Sequence, residues 1–194
     1  MNYPLSLSFK IVAIAPQITV TDAAGNVVMY VKQKAFKLKE AVTVFADSSQ
    51  TQPLYTINAD RVIDFSASYH MAATNGYQIG SIRRKGMRSI WRAEYEFCDA
   101  GQPTMSVREE SGWIKVGDAL LNEIPILGMF TGYFLNPSYL VTRPNGQPLM
   151  RLSKEPAFWE GRYRMDPLGP MDQAEELRVV LGLLMMILLE RSRG

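Results

Sequence analysis

The chain has 194 residues, of which 47% are hydrophobic and 21% charged, and its formal net charge is +2. This composition is typical of a globular protein with one sizeable core and excludes a low-complexity or disordered chain. Cys98 is the single cysteine, which excludes an intrachain disulfide and a multi-cysteine metal site. The first residues also lack the pattern of a secretion signal, so we expect a cytoplasmic protein.

A turn sequence followed by an apolar, strand-like run recurs along the chain. Asp, Asn and Gly in these turns tolerate the positive φ of tight hairpins. The first four turns are roughly 25 residues apart, enough for two strands and two turns. The turns are Asp22–Asn26, Asp47–Gln50, Thr74–Gly76, Asp99–Pro103 and Arg143–Pro148. The pattern predicts a meander of short antiparallel strands and no βαβ units.

Two segments indicate which strand side chains point to the core and which point to solvent. In Ile90–Phe97, apolar and charged residues alternate, as in a half-buried antiparallel strand with Glu94 and Glu96 on its solvated face. In Lys32–Lys39 the lysines change phase, which predicts a bulge that keeps all of them in solvent.

The segment from Gly117 to Pro137 differs in composition, because it is rich in Gly, Pro and large apolar residues. This composition predicts a short helix with a buried return loop. Prolines and a glycine then precede the last segment of the chain. Asp172 followed three residues later by Glu175 has the spacing of a capping box, which predicts a helix start at this point.

The final apolar run, Leu177–Leu189, is hydrophobic on nearly every side. A helix of this kind must be surrounded by lipid or by protein. Thirteen helical residues rise only about 20 Å, against roughly 30 Å for a bilayer core. The run also contains Arg178. We therefore predict that the protein encloses this helix in its own sheet and that no segment spans a membrane.

The chain resembles the LURP-one-related branch of the Tubby C-terminal-like architecture, a branch that also resembles the phospholipid scramblases. The segments that carry the resemblance are Tyr30–Lys34, Gly80–Lys85, Ser89–Ala93, Ile124–Ile126, Thr131–Phe134 and Leu188–Arg191. The resemblance implies a mainly β fold, in which a closed, many-stranded antiparallel barrel surrounds a buried hydrophobic C-terminal helix. It implies no shared enzymatic chemistry, phosphoinositide binding in the tubby branch and contested lipid transfer in the scramblase branch.

Basic residues are concentrated in two stretches, and these form the candidate binding site. The segment from Arg83 to Arg92 predicts a hairpin with its turn at Gly86. This hairpin brings five cations together with no evident compensating acid. If the lysines of the first stretch lie on a neighbouring strand, the combined patch suits an anionic head group. The site residues are Lys32, Lys34, Arg83, Arg84, Lys85 and Arg88. The alternative is that these residues only keep strand edges soluble.

Other chemistries have little support in the sequence. His70 has no second imidazole nearby, which disfavours a metal site. Cys98 resembles a small buried hydrophobe more than a nucleophile. The chain lacks a nucleophile elbow, a Walker A motif and a dinucleotide-binding motif. We therefore expect no enzyme activity, no metal and no cofactor.

We expect a single domain over residues 1–194, with a core at about 8–192, that acts as a cytoplasmic binding or scaffold module, peripheral to the membrane when bound. The preferred ligand is an anionic phospholipid or phosphoinositide head group, or a phosphorylated small molecule of the same chemistry; a protein partner also fits a scaffold. Two alternatives stay open: a scramblase-like protein with its C-terminal helix in lipid, and a nucleic-acid-binding protein that uses the same patch. The low net charge and the absence of aromatic residues among the arginines disfavour nucleic acid.

Overall fold

The structure is a computed structural model that describes residues 1–10, 17–32, 41–61, 67–85, 94–110, 137–156 and 160–191. Within these ranges the chain forms strands and one C-terminal helix. The strands are β1 (Leu5–Lys10), β2 (Gln17–Thr21), β3 (Val27–Lys32), β4 (Val42–Phe45), β5 (Pro53–Ala59), β6 (Ser68–Ala73), β7 (Gln78–Arg84), β8 (Glu94–Asp99), β9 (Gln102–Glu109), β10 (Ser138–Thr142), β11 (Pro148–Glu155) and β12 (Glu160–Pro167). The helix is α1 (Gln173–Arg191).

The strands form one closed antiparallel barrel in which each strand pairs with its neighbours in the sequence. β1 pairs with both β2 and β12, which closes the sheet of the described strands. Leu7 shows the register, because it lies opposite Val20 on one side and Tyr163 on the other. The predicted mainly β fold, a closed barrel around a C-terminal helix, is confirmed.

The barrel has two distinct ends, because the strands alternate in direction. All five predicted hairpin turns lie at one end, together with the start of α1. We call this the turn end. The odd-numbered strands run away from it, and α1 also runs away from it and ends at Arg191. We call the opposite end the far end.

The turns form where short polar side chains accept hydrogen bonds from the backbone of the same turn. Asp22 Oδ1 accepts bonds from the amides of Ala24 and Asn26, both at 2.9 Å. Asp47 accepts a bond from the amide of Ser49 at 2.8 Å. Gly25 has a φ of +84°, which L side chains rarely adopt. These local bonds explain why the turn positions were readable from the sequence.

The helix begins at the predicted capping box. The amide of Glu175 donates to Asp172 Oδ1 at 2.8 Å, and the amide of Asp172 donates to Glu175 Oε2 at 3.3 Å. Arg143 also binds Glu175 through its Nη2 at 2.7 Å, which attaches the first turn of α1 to the β10–β11 turn. The cap therefore fixes both where the helix starts and where it enters the barrel.

The helix fills the barrel, and every residue of α1 from Arg178 to Leu189 is buried. It lies closest to β6, β7 and β8. Gly182 permits this approach, because a Cβ at that position would collide with the ring of Phe97 on β8. The prediction that the sheet encloses the apolar run is confirmed.

Arg178 is the charged residue inside this apolar helix, and it is bound at the turn end of the barrel. Its Nε donates to the carbonyl of Ile79 at 2.7 Å, and its Nη2 lies 2.7 Å from Asp99 Oδ2. Gly80 leaves room for the guanidinium, since a Cβ there would lie 2.6 Å from Arg178 Nε. The buried charge is therefore paired and hydrogen-bonded, as burial in a core requires.

Two predictions on local structure lie outside the described residues. These are the bulge within Lys32–Lys39 and the short helix with its return loop between Gly117 and Pro137. In the predicted strand Ile90–Phe97, the described part is β8, which begins at Glu94. There the alternation is as predicted, with Tyr95 and Phe97 buried.

Candidate functional site

The predicted site residues lie at the far end but on well-separated strands. Lys32 is the last residue of β3, Arg83 and Arg84 end β7, and Lys85 follows them. Lys34 and Arg88 lie outside the described residues. β4, β5 and β6 lie between β3 and β7, which separates the two groups by about 19 Å along the sheet. The two basic stretches therefore do not occupy neighbouring strands.

The basic residues of β7 have carboxylate partners on β8. Arg83 Nε and Nη2 donate to Glu96 Oε2 at 3.1 and 3.0 Å. Lys85 Nζ lies 3.3 Å from Glu94 Oε1 and 3.6 Å from Glu96 Oε1. The expectation that no acid compensates this cluster is wrong. Glu94 and Glu96 were assigned to a solvated face, but in the barrel that face is directly beside Arg83 and Lys85.

The third basic residue of β7 has a different environment. Arg84 lies opposite Tyr95, whose side chain is buried, so it belongs to the inward-facing set of β7. Arg83 and Arg84 thus lie on opposite sides of the same strand. The cations read as one cluster in the sequence are divided between the outer wall and the inner rim of the barrel.

The ion pairs on the outer wall leave their cations at the surface. The exposed fraction of the side chain is 41% for Arg83 but 16% for Glu96, and 65% for Arg108 but 26% for its partner Glu94. The carboxylates therefore lie beneath the cations. Exposed pairs of this kind contribute about 0–1 kcal/mol to stability, so their main effect is to orient the basic groups.

A ring of basic residues surrounds the far end of the barrel. Each odd-numbered strand has an exposed lysine or arginine within two residues of its last residue. We call this set the far-end ring: Lys10, Lys32, Arg61, Lys85, Arg108 and Lys154. Because these residues come from every second strand, successive members are about 10 Å apart along the sheet. The ring was missed in the sequence because its members are scattered over about 145 residues and meet only when the barrel closes.

Some members of the ring have carboxylate partners and others do not. Arg61 pairs with Asp60 at 3.3 Å, Lys85 with Glu94 and Glu96, and Arg108 with Glu94 at 3.0 Å. Lys10, Lys32 and Lys154 have no ion-pair partner among the described side chains. The ring therefore combines cations that carboxylates orient with three exposed lysines, of which Lys10 lies opposite Glu160 in the strand register.

The two halves of the barrel differ in charge. Among the described residues, the turn-end half has seven carboxylates against four arginines and the N-terminal amino group: Asp22, Asp47, Asp99, Asp166, Asp172, Glu175 and Glu176 against Arg143, Arg151, Arg164, Arg178 and the amine of Met1, which pairs with Glu176. The far-end half has ten basic residues and eight acidic ones: the far-end ring with Arg83, Arg84, Arg162 and Arg191, against Asp60, Glu94, Glu96, Glu109, Glu110, Glu155, Glu160 and Glu190. The described barrel is therefore polarised along its axis, acidic at the turn end and basic at the far end.

Inside the far end, polar side chains replace the apolar core around the last turn of α1. The hydroxyl of Tyr95 donates a short hydrogen bond to Glu190. Burial raises the pKa of Tyr139, and the nearby carboxylates of Glu109 and Glu190 raise it further. Arg191 lies over the ring of Phe9, 4.5 Å from its centroid. These contacts fix the end of the helix inside the ring.

A shallow groove of about 250 Å³ lies on the outer wall across β2, β1, β12 and β11. Ser6, Ser8 and Thr21 contribute hydroxyl groups to it, and Glu155 and Arg162 contribute charges. Because Glu155 and Arg162 lie directly opposite each other in the strand register, the groove favours neither an anion nor a cation.

The described residues provide few groups for metal or nucleophilic chemistry. Within them, no group of three His, Cys, Asp or Glu side chains is placed to hold a metal ion. Cys98 is buried, as predicted, and burial raises the pKa of its thiol. His70 lies exposed on β6. Over the same ranges, no helix has both the length and the apolar character that a bilayer crossing requires.

Comparison with known proteins places the chain in a family. A family model described as LURP-one-related matches residues 27–124, about half of the chain. The match runs from the start of β3 to beyond β9 and includes four residues of the far-end ring. Comparisons with curated proteins and with solved structures found no match. The chain belongs to the LURP-one-related family, with which a Tubby C-terminal-like barrel closed around a C-terminal helix is consistent.

Proposed function

We propose that this protein is a non-enzymatic binding module that docks the far end of its barrel on an anionic phospholipid surface. The observation that carries the proposal is the far-end ring of six exposed cations. Membership of the LURP-one-related family supports the same function, because the related tubby branch binds phosphoinositides. The proposal keeps the ligand class expected from the sequence but moves the site from one hairpin to the whole end of the barrel.

The geometry of the ring favours a flat partner. Twelve strands about 4.8 Å apart and tilted by about 40° form a barrel about 24 Å across, so the six cations bound a disc of similar width. A membrane surface offers anionic head groups over that whole area. A nucleic acid, by contrast, is bound along a stripe or groove with interleaved aromatic residues. The acidic turn end further orients the protein, because an anionic surface repels it.

The expected strength of binding is moderate. A lysine or arginine near an anionic membrane contributes about 1 kcal/mol, and the effect falls off within a Debye length of about 8–10 Å. The three lysines without described partners would thus supply about 3 kcal/mol. The paired cations contribute less, because their carboxylates cancel part of the attraction.

Vesicle co-sedimentation tests the proposal. We expect the full chain to bind vesicles that contain phosphatidylserine or a phosphoinositide, to bind less as salt is raised, and not to bind pure phosphatidylcholine. The variant Lys10→Gln, Lys32→Gln, Lys154→Gln should bind about 100-fold more weakly, the equivalent of about 3 kcal/mol. It removes cations without leaving a described carboxylate unpaired.

The matched control has the same net charge but alters the turn end. Ala24→Glu, Ser48→Glu and Gln52→Glu are exposed turn positions, and together they also lower the charge by three. This control should bind vesicles like the parent protein. Equal loss of binding in both variants would attribute the effect to net charge and contradict docking through the ring.

Three further experiments separate this proposal from its alternatives. Competition by a soluble inositol phosphate at micromolar concentration would indicate a head-group pocket in place of surface docking. Preference for single-stranded nucleic acid over vesicles at the same salt would contradict the lipid assignment. Washing loaded vesicles at alkaline pH should release the protein, because α1 lies inside the barrel; retention would favour the scramblase-like alternative.

A further inference from the structure

The chain contains two Asn–Gly pairs, and both lie in exposed hairpin turns. They are Asn75–Gly76 in the β6–β7 turn and Asn145–Gly146 in the β10–β11 turn. Glycine after asparagine leaves the backbone free to attack the asparagine side chain, because no Cβ obstructs the approach and the backbone reaches the conformations that ring closure needs. Each pair is therefore a candidate site of covalent modification by deamidation.

Deamidation proceeds through a cyclic imide. The glycine amide nitrogen loses its proton and forms a bond to Cγ of the asparagine, while the bond from Cγ to the side-chain nitrogen breaks and that nitrogen leaves as ammonia. Water then opens the ring at either carbonyl. One product is aspartate, and the other is isoaspartate, in which the chain continues through the former side chain. Water enters and ammonia leaves, so no oxidant, reductant or other reactant is required.

The two turns have the same internal geometry. Gly76 has a φ of +86° and Gly146 a φ of +85°. In each turn the glycine amide donates to the carbonyl three residues earlier at 2.9 Å. In each turn the asparagine Oδ1 accepts a bond at 3.0 Å from the amide two residues later. These bonds engage both the attacking nitrogen and the group that it attacks, so the reaction proceeds from an opened turn.

The β10–β11 turn is attached to the start of the helix through Arg143. Its Nη2 lies 2.7 Å from Glu175 Oε2 and 3.2 Å from the carbonyl of Pro170. Its Nη1 donates to Gln147 Oε1 at 2.7 Å, which ties the guanidinium to the other side of the same turn. Pro144 also restricts the conformations that an opened turn can adopt. Opening this turn therefore requires several contacts to break.

The β6–β7 turn has weaker attachments. Ala73 and Thr74 occupy the positions that correspond to Arg143 and Pro144, so the turn has neither the guanidinium nor the proline. Its described bond to another hairpin is the one from the Thr74 amide to the carbonyl of Leu54, at 3.1 Å. Regions with few such contacts open locally at a lower cost in free energy than the rest of the fold.

We propose that Asn75 is the position at which the folded protein deamidates and that Arg143 protects Asn145 from the same reaction. The chemistry is slow compared with the opening and closing of a turn, so the rate at each site follows the population of its opened form. We expect Asn75 to react about tenfold faster than Asn145, the equivalent of about 1.4 kcal/mol. Isoaspartate at this position lengthens the backbone just before Ile79, whose carbonyl binds Arg178.

Incubation of the full chain at mildly alkaline pH, followed by peptide mapping with mass spectrometry, tests the proposal. In urea the two asparagines should react at similar rates, because both precede glycine. In the folded protein both rates should fall, and the rate at Asn145 should fall about tenfold further. Equal rates at the two sites in the folded protein, or a faster reaction at Asn145, would overturn the proposal.

The role of Arg143 is tested by Arg143→Gln, which should raise the rate at Asn145 about tenfold and leave the rate at Asn75 unchanged. Glu175→Gln, which keeps an oxygen for the capping box, should raise it less. The matched control is Arg164→Gln, which removes an arginine paired with Asp166 at the same end and should change neither rate. An unchanged rate at Asn145 in Arg143→Gln, or an equal rise at both sites, would overturn the protection by Arg143.

Discussion

Gly182→Ala tests the position of the C-terminal helix inside the barrel. In an isolated helix this change is stabilising by about 1 kcal/mol, because alanine has the higher helix propensity. In the barrel, an added Cβ would collide with the ring of Phe97, a side chain that is fully buried. The structure therefore predicts that the sign of the effect is reversed.

The magnitude follows from the packing of this contact. Overpacking a dense core costs about 1–3 kcal/mol, and the upper part of that range applies because the ring of Phe97 is fully buried. After the gain in helix propensity, we expect the free energy of unfolding to fall by about 2 kcal/mol. For a protein of this size that corresponds to a drop in Tm of about 4–8 °C.

Urea denaturation and thermal melts measure the change, and a second substitution provides the control. Phe97→Leu alone should cost about 1–2 kcal/mol through the space it leaves. Combined with Gly182→Ala it should cost less than the sum, because the new methyl group enters that space. If Gly182→Ala raised the stability, or if the two effects were additive, the helix would not pack against β8 as described.

The remaining predictions concern the buried arginine, the helix and the acidic turns. Asp99→Ala should lower the free energy of unfolding by about 1–3 kcal/mol, because it leaves Arg178 buried without its anion; Arg178→Met should cost less in the same urea titration, and the opposite order would refute the pairing. Truncation before Leu177 should yield aggregated protein on refolding, since the barrel then lacks its core; a monomeric product in size-exclusion chromatography would contradict this. Hydrogen bonds within the turns lower the pKa of Asp22 and of Asp47 below the ordinary 3.8, so their contribution to stability is present above that pH and is lost as pH falls through the folded pKa. Asp22→Asn should therefore make the acid limb of the stability curve shallower, and an unchanged limb would refute the assignment.

Local signals were sufficient for most of the fold. The hairpin turns and the capping box rest on bonds between residues no more than four positions apart, so the sequence around Asp22 or Asp172 contains the information that forms them. The length and apolar character of α1 likewise limited it to the inside of a sheet. The closing pairing of β1 with β12 was expected only through the family resemblance, because these strands are far apart in the sequence.

The candidate site was less predictable, since it depends on which strands become neighbours. Arg83 and Lys85 were read as uncompensated cations, but register places Glu96 opposite Arg83 and brings Glu94 beside Lys85. Lys32 was joined to the same patch, but three strands separate it from β7. In each case the sequence identified the type of residue correctly, and the tertiary structure determined which residues lie beside it.

The elements of this protein follow from its local sequence: a series of short antiparallel strands and one helix too apolar to stay in water and too short to span a bilayer. They do so because turn bonds, side-chain alternation and helix caps are local. Only the closed barrel determined the distribution of charge, because Lys10, Arg61 and Lys154 form one ring when strands remote in sequence align their ends. The acidic turn end and the basic far end of the described barrel are therefore properties of the tertiary structure.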